Sequence, residues 1–341
     1  MVVKQTRTSG SFASGAYVGV SQPETENHVP LLHKNNSGWQ SQLYIQNAGT
    51  ASTNVTVEYK ARTGSSCTQT YYNVPANATQ VINLTGVGCV GTTFVGSVRI
   101  VGGQPLATTA TQYYGNTSYM ETSYTGGSAD TVYTPLVQNN NSGWLSGLAV
   151  QNVSGGSNNV SARFYNNNGG WCNTHTASVS PYYLLIVYPA PPTGNVCTRV
   201  TSGRHSVTNG MAQATLNQQL PGAPHVASYA GIANPGTSVI VPWQYRWNGW
   251  NSSMVVQNVG TTQPAAVTIT YYNGDGTQYG NPTNGVVQPG GISIFNPAPP
   301  GVANFNGSAV VTANQPIAVI ANIFKNDASG DHLMSYAGIS R

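Results

Sequence analysis

One ten-residue stretch occurs three times in this chain. It reads Gly38-Trp39-Gln40-Ser41-Gln42-Leu43-Tyr44-Ile45-Gln46-Asn47, then Gly143-Trp144-Leu145-Ser146-Gly147-Leu148-Ala149-Val150-Gln151-Asn152, then Gly249-Trp250-Asn251-Ser252-Ser253-Met254-Val255-Val256-Gln257-Asn258. The tryptophans stand 105 and 106 residues apart. Propeller blades repeat at about 40 to 45 residues, and β-helix coils are shorter still. A period near 105 fits a whole domain, so the 341 residues are expected to fold as three of them.

A second element brackets the first. A Tyr-x-Gly segment occurs at Tyr17, Tyr124, Tyr229 and Tyr336, four times against three for the Trp stretch. The chain therefore begins and ends on the same element. The expected divisions are an extra N-terminal strand segment at 1–22 and β-sandwich repeats at 23–128, 129–233 and 234–341. Tyr17, Tyr124, Tyr229 and Tyr336 join Trp39, Trp144 and Trp250 as expected packing residues of the repeat.

Within each repeat the pattern is that of short strands. Leu43, Ile45 and Asn47 alternate with Tyr44 and Gln46, so one face of the strand is expected to be buried. Asn-Val-Thr-Val-Glu-Tyr at 54–59 is a β-branched alternating run, with counterparts at 160–165 and 267–272. Gly-bearing turns follow, then Pro-marked turns at Pro75, Pro181 and Pro289. Gly96-Ser97-Val98-Arg99-Ile100 matches Gly307-Ser308-Ala309-Val310-Val311, and repeat two departs here with Gly210-Met211-Ala212. Seven or so short strands in about 100 residues, without a helical period, predict an all-β chain of three tandem immunoglobulin-like β-sandwich modules plus an N-terminal β-hairpin.

Cys67 and Cys89 lie 22 residues apart in repeat one, and Cys172 and Cys197 lie 25 apart in repeat two. Repeat three has no cysteine. One pair per repeat, absent as a pair, predicts two disulfides within repeats and an oxidising compartment. The expected location is extracellular, at a cell surface. The first seven residues lack the apolar core of a signal peptide, so the export signal is expected outside this numbering or by another route.

Charged residues make up only 6% of the chain. Hydrophobic residues reach 39%, which argues against disorder. The net charge of +4 comes from scattered cations without a Lys/Arg run, which argues against nucleic-acid binding. No stretch approaches the roughly 20 apolar residues of a membrane helix. None of the eight carboxylates recurs in all three repeats, and no metal-site or nucleophile motif is present. No catalytic residue, metal or cofactor is expected, and the chain is not expected to be an enzyme. Trp243, Tyr245 and Trp247 form a local aromatic cluster near Trp250, a candidate sugar-binding face.

The Trp strands and Tyr-x-Gly hairpins resemble those of tandem immunoglobulin-like repeats in bacterial cell-surface proteins. The low-charge, Thr/Asn/Tyr-rich, cysteine-paired build is similar to that of strand-exchanging extracellular pilins. The resemblance implies assembly and adhesion and carries over no functional residues. Unpaired sheet edges invite pairing with another chain, and this chain has little charge with which to blunt them. Residues 1–22, with Phe12, Tyr17, Val18 and Val20, are the candidate assembly strand. Copies of the chain itself are the expected partner in a head-to-tail filament. Surface glycans are the partner in the alternative, a monomeric carbohydrate-binding or adhesive protein.

Overall fold

The computed structural model describes residues 2–7, 12–115, 118–124, 128–190, 199–325 and 330–341. The protein is all-β. About 70% of the described residues are in strands, and the helical content among them is two three-residue 3-10 turns, Leu84–Gly86 and Gly88–Val90.

Each Trp strand starts the same way. The two residues before the tryptophan both take positive φ: Ser37 and Gly38 at 48° and 89°, Ser142 and Gly143 at 50° and 85°, Asn248 and Gly249 at 50° and 82°. Two central residues with positive φ form the two-residue hairpin turn whose twist matches paired strands. The Trp39 N–H donates to Asn36 O at 2.9 Å, and the Trp250 N–H to Trp247 O at 3.0 Å.

The second repeat shows the layering most plainly. Trp171–Val179, Asn158–Asn166, Val200–Val207 and Thr131–Asn141 pair in that order as one layer. Leu184–Ala190, Trp144–Asn152, Ala212–Gln219 and Val226–Ala230 form the other. Thr131–Asn141 also pairs with Trp144–Asn152 across the positive-φ turn, joining the two. Leu148, Val150, Phe164 and Leu216 fill the space between them. In the first and third repeats a single 21-residue strand, Phe94–Tyr114 or Phe305–Lys325, serves both layers in turn. The second repeat breaks that strand at Thr208–Met211, where Asn209 has φ 54°, so the departure at Gly210-Met211 is a turn.

The strand ends are held alike. Asn47, Asn152 and Asn258 close the three Trp strands and are fully buried. Asn47 Nδ2 donates to Ala51 O, Val74 O and Pro75 O, while its Oδ1 accepts the Gly49 N–H. Asn152 and Asn258 repeat this pattern on 156, 179 and 154, and on 263, 287 and 260. Each side chain thus ties a turn, a neighbouring strand and its own strand end together.

The N-terminal segment is seated within its own chain. β1 (Val2–Arg7) and β2 (Phe12–Val18) form a hairpin with Val3 opposite Tyr17. β2 continues in parallel with Gly330–Asp331. Ala16 and Val18 pack on the core of the third repeat, and buried Ser14 donates to Asp331 O. β2 lies against the closing strands of the first and third repeats, Ser118–Tyr124 and Leu333–Ala337. Val226–Ala230 of the second repeat lies against the same two. Four equivalent hairpin strands therefore form a closed ring, and β2 takes the fourth place.

Candidate functional site

Successive repeats meet through one recurring set of contacts. Register fixes the equivalences: Val98 stands opposite Tyr59, Gly203 opposite Phe164 and Ala309 opposite Tyr271. Ser97 Oγ donates to Tyr182 O of the second repeat at 2.7 Å, and Ser202 Oγ to Gly290 O of the third at 2.8 Å. In return Gln151 Nε2 donates to Val98 O at 3.2 Å, and Gln257 Nε2 to Gly203 O at 3.3 Å. Leu31 of the first repeat packs against Ala149 and Leu184 of the second. Leu136 of the second shares a cluster with Val255 and Ile292 of the third.

Charge concentrates at the first of these joints. Arg99 donates to Glu26 at 2.8 Å and to Glu58 at 2.7 Å, and Lys60 Nζ lies 3.0 Å from Glu58. Glu58 and His28 are the strand neighbours of Arg99, so pleat and register bring these groups onto one face. The Arg99 guanidinium lies 4.7 Å from the centroid of the Tyr182 ring, on which His28 also stacks. Hydrogen bonds from His28 and then Arg99 pull the Glu26 carboxyl down to about 2.

The two ends of the row keep these groups uncovered. Gln46 is exposed, while Gln151 and Gln257 are 0% and 1% exposed. Gln46 Nε2 reaches Asn77 O in its own repeat at 3.4 Å. Ser308, the counterpart of Ser97 and Ser202, is half-buried. Trp243 stands where Leu31 and Leu136 stand. Each lies two residues before the residue whose N–H donates to the Trp-strand serine, namely His33 to Ser41, Gln138 to Ser146 and Tyr245 to Ser252.

At that end lies the predicted aromatic cluster, in part. The Trp243 and Tyr245 rings are 5.7 Å apart and both half-buried. Trp243 Nε1 donates to Asn306 Oδ1 at 3.1 Å. The Lys4 ammonium of β1 sits 5.7 Å from the Trp243 ring and 5.2 Å from the Trp250 ring. Burial lowers the affinity of Lys4 for its proton. Trp247 is 56% exposed in the turn before Trp250, with which it forms a β-bridge. Lys4 is the member that sequence reasoning missed, because only the ring of hairpins brings residue 4 to residue 243.

The other expected residues fall as follows. Cys67 and Cys89 are disulfide-bonded, with Cα atoms 6.0 Å apart. Cys172 is also disulfide-bonded, and Cys197 lies outside the described residues. Trp39, Trp144 and Trp250, expected as packing residues of the repeat, are half-buried at the rim of the core. There they meet Tyr114, His225 and His332, because the tight turn holds each tryptophan at the strand's first position. Tyr229 and Tyr336 are deeply buried. The Tyr229 hydroxyl donates to Leu136 O, and the Tyr336 hydroxyl to Trp243 O. Tyr17 is half-buried on β2. Tyr124 sits two residues further along its strand than its expected counterparts. It pairs with Thr108, and the equivalent of Thr108 in the second repeat, Ala214, binds Gly231. The side chains of Phe12 and Tyr124 lie outside the described residues, and Val20 follows β2 without joining it.

A cavity of about 360 Å³ opens between β2, Val226–Ala230 and Leu333–Ala337, bordered by Ala16, Val18, Ser228, Ala230, Ser335 and Ala337. Among the described residues no three His, Cys, Asp or Glu side chains gather as a metal site. No helix there is long and apolar enough to cross a membrane.

No protein-family model matches the chain, and no curated protein matches it. Among solved structures, Thermotoga maritima 1070 matches 32% of this chain over 97% of its own, at 16% identity and TM-score 0.29. A serine-rich repeat adhesion glycoprotein of Streptococcus agalactiae matches 70% of this chain over 89% of its own, at 10% identity and TM-score 0.17. Neither likeness is close enough to carry fold or function across.

Proposed function

We propose that the chain is an exported structural and adhesive protein of a cell surface, built of three tandem immunoglobulin-like modules, that works by joining polypeptides and not by catalysis. The supporting observation is the outer edge of β1. Among the described residues β1 pairs only with β2, whereas its counterpart in each repeat is paired on both sides. An unpaired edge is a template for another strand. The Cys67–Cys89 disulfide fits an oxidising compartment.

A pilus-like filament, polymerising by donation of residues 1–22, is the second reading, favoured by the same unpaired edge. Donation would have to free Ala16 and Val18 from the third repeat's core. Acceptance of a strand at β1 leaves that core intact, so acceptance is the more direct route. No cofactor or catalytic group enters either reading.

Antibody labelling of intact source cells, with negative-stain microscopy of the purified chain beside the chain lacking residues 1–22, tests this. Surface labelling and discrete particles from both proteins are expected. Long fibres from the full chain alone would put the self-polymerising filament first. A chain held inside the cell with reduced thiols would remove the surface reading. Glycan binding abolished by Trp243→Ala would put carbohydrate recognition in its place.

A further inference from the structure

We infer that the slot between the outer edge of β1 and the Trp243 end of the third repeat takes one strand of the Trp type, from a repeat of this same build that lacks its own closing hairpin. The inference rests on the strand-joining reading above and names its partner.

The chain contains three precedents for this pairing. The first strand of each closing hairpin has the closing strand on one side and a Trp strand on the other. Leu216 faces Tyr229 and Leu148, Ala321 faces Tyr336 and Met254, and Ala110 faces Thr122 and Leu43. β1 is the fourth such strand by position, with Val3 facing Tyr17. Its other side has no strand among the described residues.

The backbone is set for the missing partner. Gly231 N–H donates to Ala214 O, and Leu220 N–H to His225 O. Alternation then turns the N–H groups of Thr215, Asn217 and Gln219 toward the Trp strand. Val2, Lys4 and Thr6 hold the equivalent places on β1, so their N–H groups point into the slot.

The side wall is equally prepared. In each joint the outer face of the incoming Trp strand packs on Leu31 or Leu136 and receives a serine of the preceding repeat at the adjacent turn. At the third repeat those places are held by Trp243 and Ser308, both half-buried. A Trp-type strand would set its Leu148-like residue opposite Val3. Its terminal glutamine would reach Ala309 O, as Gln151 reaches Val98 O. A folded copy of this chain cannot supply the strand, because all three of its Trp strands are already paired on both edges. A bare strand would also leave its inner face in water, so the natural occupant brings the rest of a sandwich with it.

The test uses the full oxidised chain and a fluorescent peptide copying residues 249–258. Anisotropy is expected to show saturable one-to-one binding. A peptide of the same composition with its alternation scrambled is expected to bind at least about tenfold more weakly. Thr6→Pro removes one N–H that points into the slot while leaving those that face β2. It is expected to weaken binding at least about tenfold with an unchanged circular dichroism spectrum. Trp243→Ala, which removes the side wall and its contact with the Lys4 ammonium but no β1 N–H, is expected to weaken it severalfold. Equal binding of the scrambled peptide, or binding indifferent to Thr6→Pro, overturns the inference. So does self-association of the chain alone that Thr6→Pro abolishes, since the edge then belongs to a second copy. Fibres without peptide binding would keep assembly and sink this partner. Peptide binding by a chain that is never found at a surface would keep the slot and sink the surface role.

Discussion

The Trp strands of the first and second repeats have nearly the same sequence plan and different surroundings. In Trp39–Asn47 burial alternates, with Leu43, Ile45 and Asn47 inside and Gln46 exposed. In Trp144–Asn152 the last five residues are all buried. The second face is covered because the preceding repeat lies on it. The residues answer to that cover: Tyr44 in the open copy becomes Ala149 and Val255 in the covered ones. A glutamine is kept in all three, since it serves a free end and a joint equally well. The outward face of a strand in such a row therefore reports on the neighbouring repeat, and the inward face on its own core.

The largest expected effect comes from giving the covered strand the open strand's residue. Ala149→Tyr should cost about 3 kcal/mol or more, because a buried alanine has no room for a ring, whereas Tyr44→Ala should cost about 1 or less. Urea unfolding of both variants checks the contrast. Equal costs would mean that the second repeat's outer face is not packed.

The strand-end asparagine should show no such contrast. Asn47→Ala, Asn152→Ala and Asn258→Ala should each cost about 2 to 3 kcal/mol, since each strands buried backbone groups in the same way. A much smaller loss at Asn47 would place the first repeat's strand end outside this pattern.

One core position separates the repeats by chemistry. Ile100 faces Val57 and Val311 faces Ile269, but the second repeat has His205 facing Ala162. The smaller alanine makes room for the ring. His205 bonds Thr134 Oγ1 at 2.8 Å, and burial pushes its pKa down to about 3. The neutral ring is the folded form, so the unfolded chain takes up a proton first as pH falls below about 6.5. Stability from this site is complete above that pH and is lost progressively toward pH 3. The loss from pH 7 to 5 should be about 2 kcal/mol. His205→Ile should flatten that part of the profile, provided Ala162 and Phe164 accommodate the branched chain. His33, buried and lowered to about 4, contributes a slope of the same sign that this variant leaves in place.

The smallest contrast is at the glutamines. Gln151→Ala should cost about 1 kcal/mol through the lost bonds to Val98 O and Tyr182 O. Gln46→Ala should fall within about 0.5 kcal/mol. Thermal shifts measured side by side decide it.

Much of this architecture was legible in the chain. Alternation at Leu43 and Ile45 marked the strand and its inner face, because the pleat has a fixed period of two. The spacing of Cys67 and Cys89 marked a disulfide. The Ser-Gly and Asn-Gly pairs before each tryptophan carried a hairpin signal that would also have placed the tryptophans at a rim. The candidate site was only half legible. Trp243 and Tyr245 are strand neighbours and could be seen together, but Lys4 reaches Trp243 through a contact more than 230 residues long.

What the sequence alone determined is local and periodic: strands, turns, the repeat, and which face of each strand seeks a core. These follow from backbone geometry and from apolar side chains leaving water, both of which act over a few residues. The tertiary structure alone decided which outer faces are covered, that β2 takes the fourth place in a ring of hairpins, and that β1, among the described residues, pairs with β2 alone. Those outcomes depend on how the sheets stack on one another. Stacking is settled by complementary surfaces that lie about a hundred residues apart, so a window on the chain contains only one half of each contact.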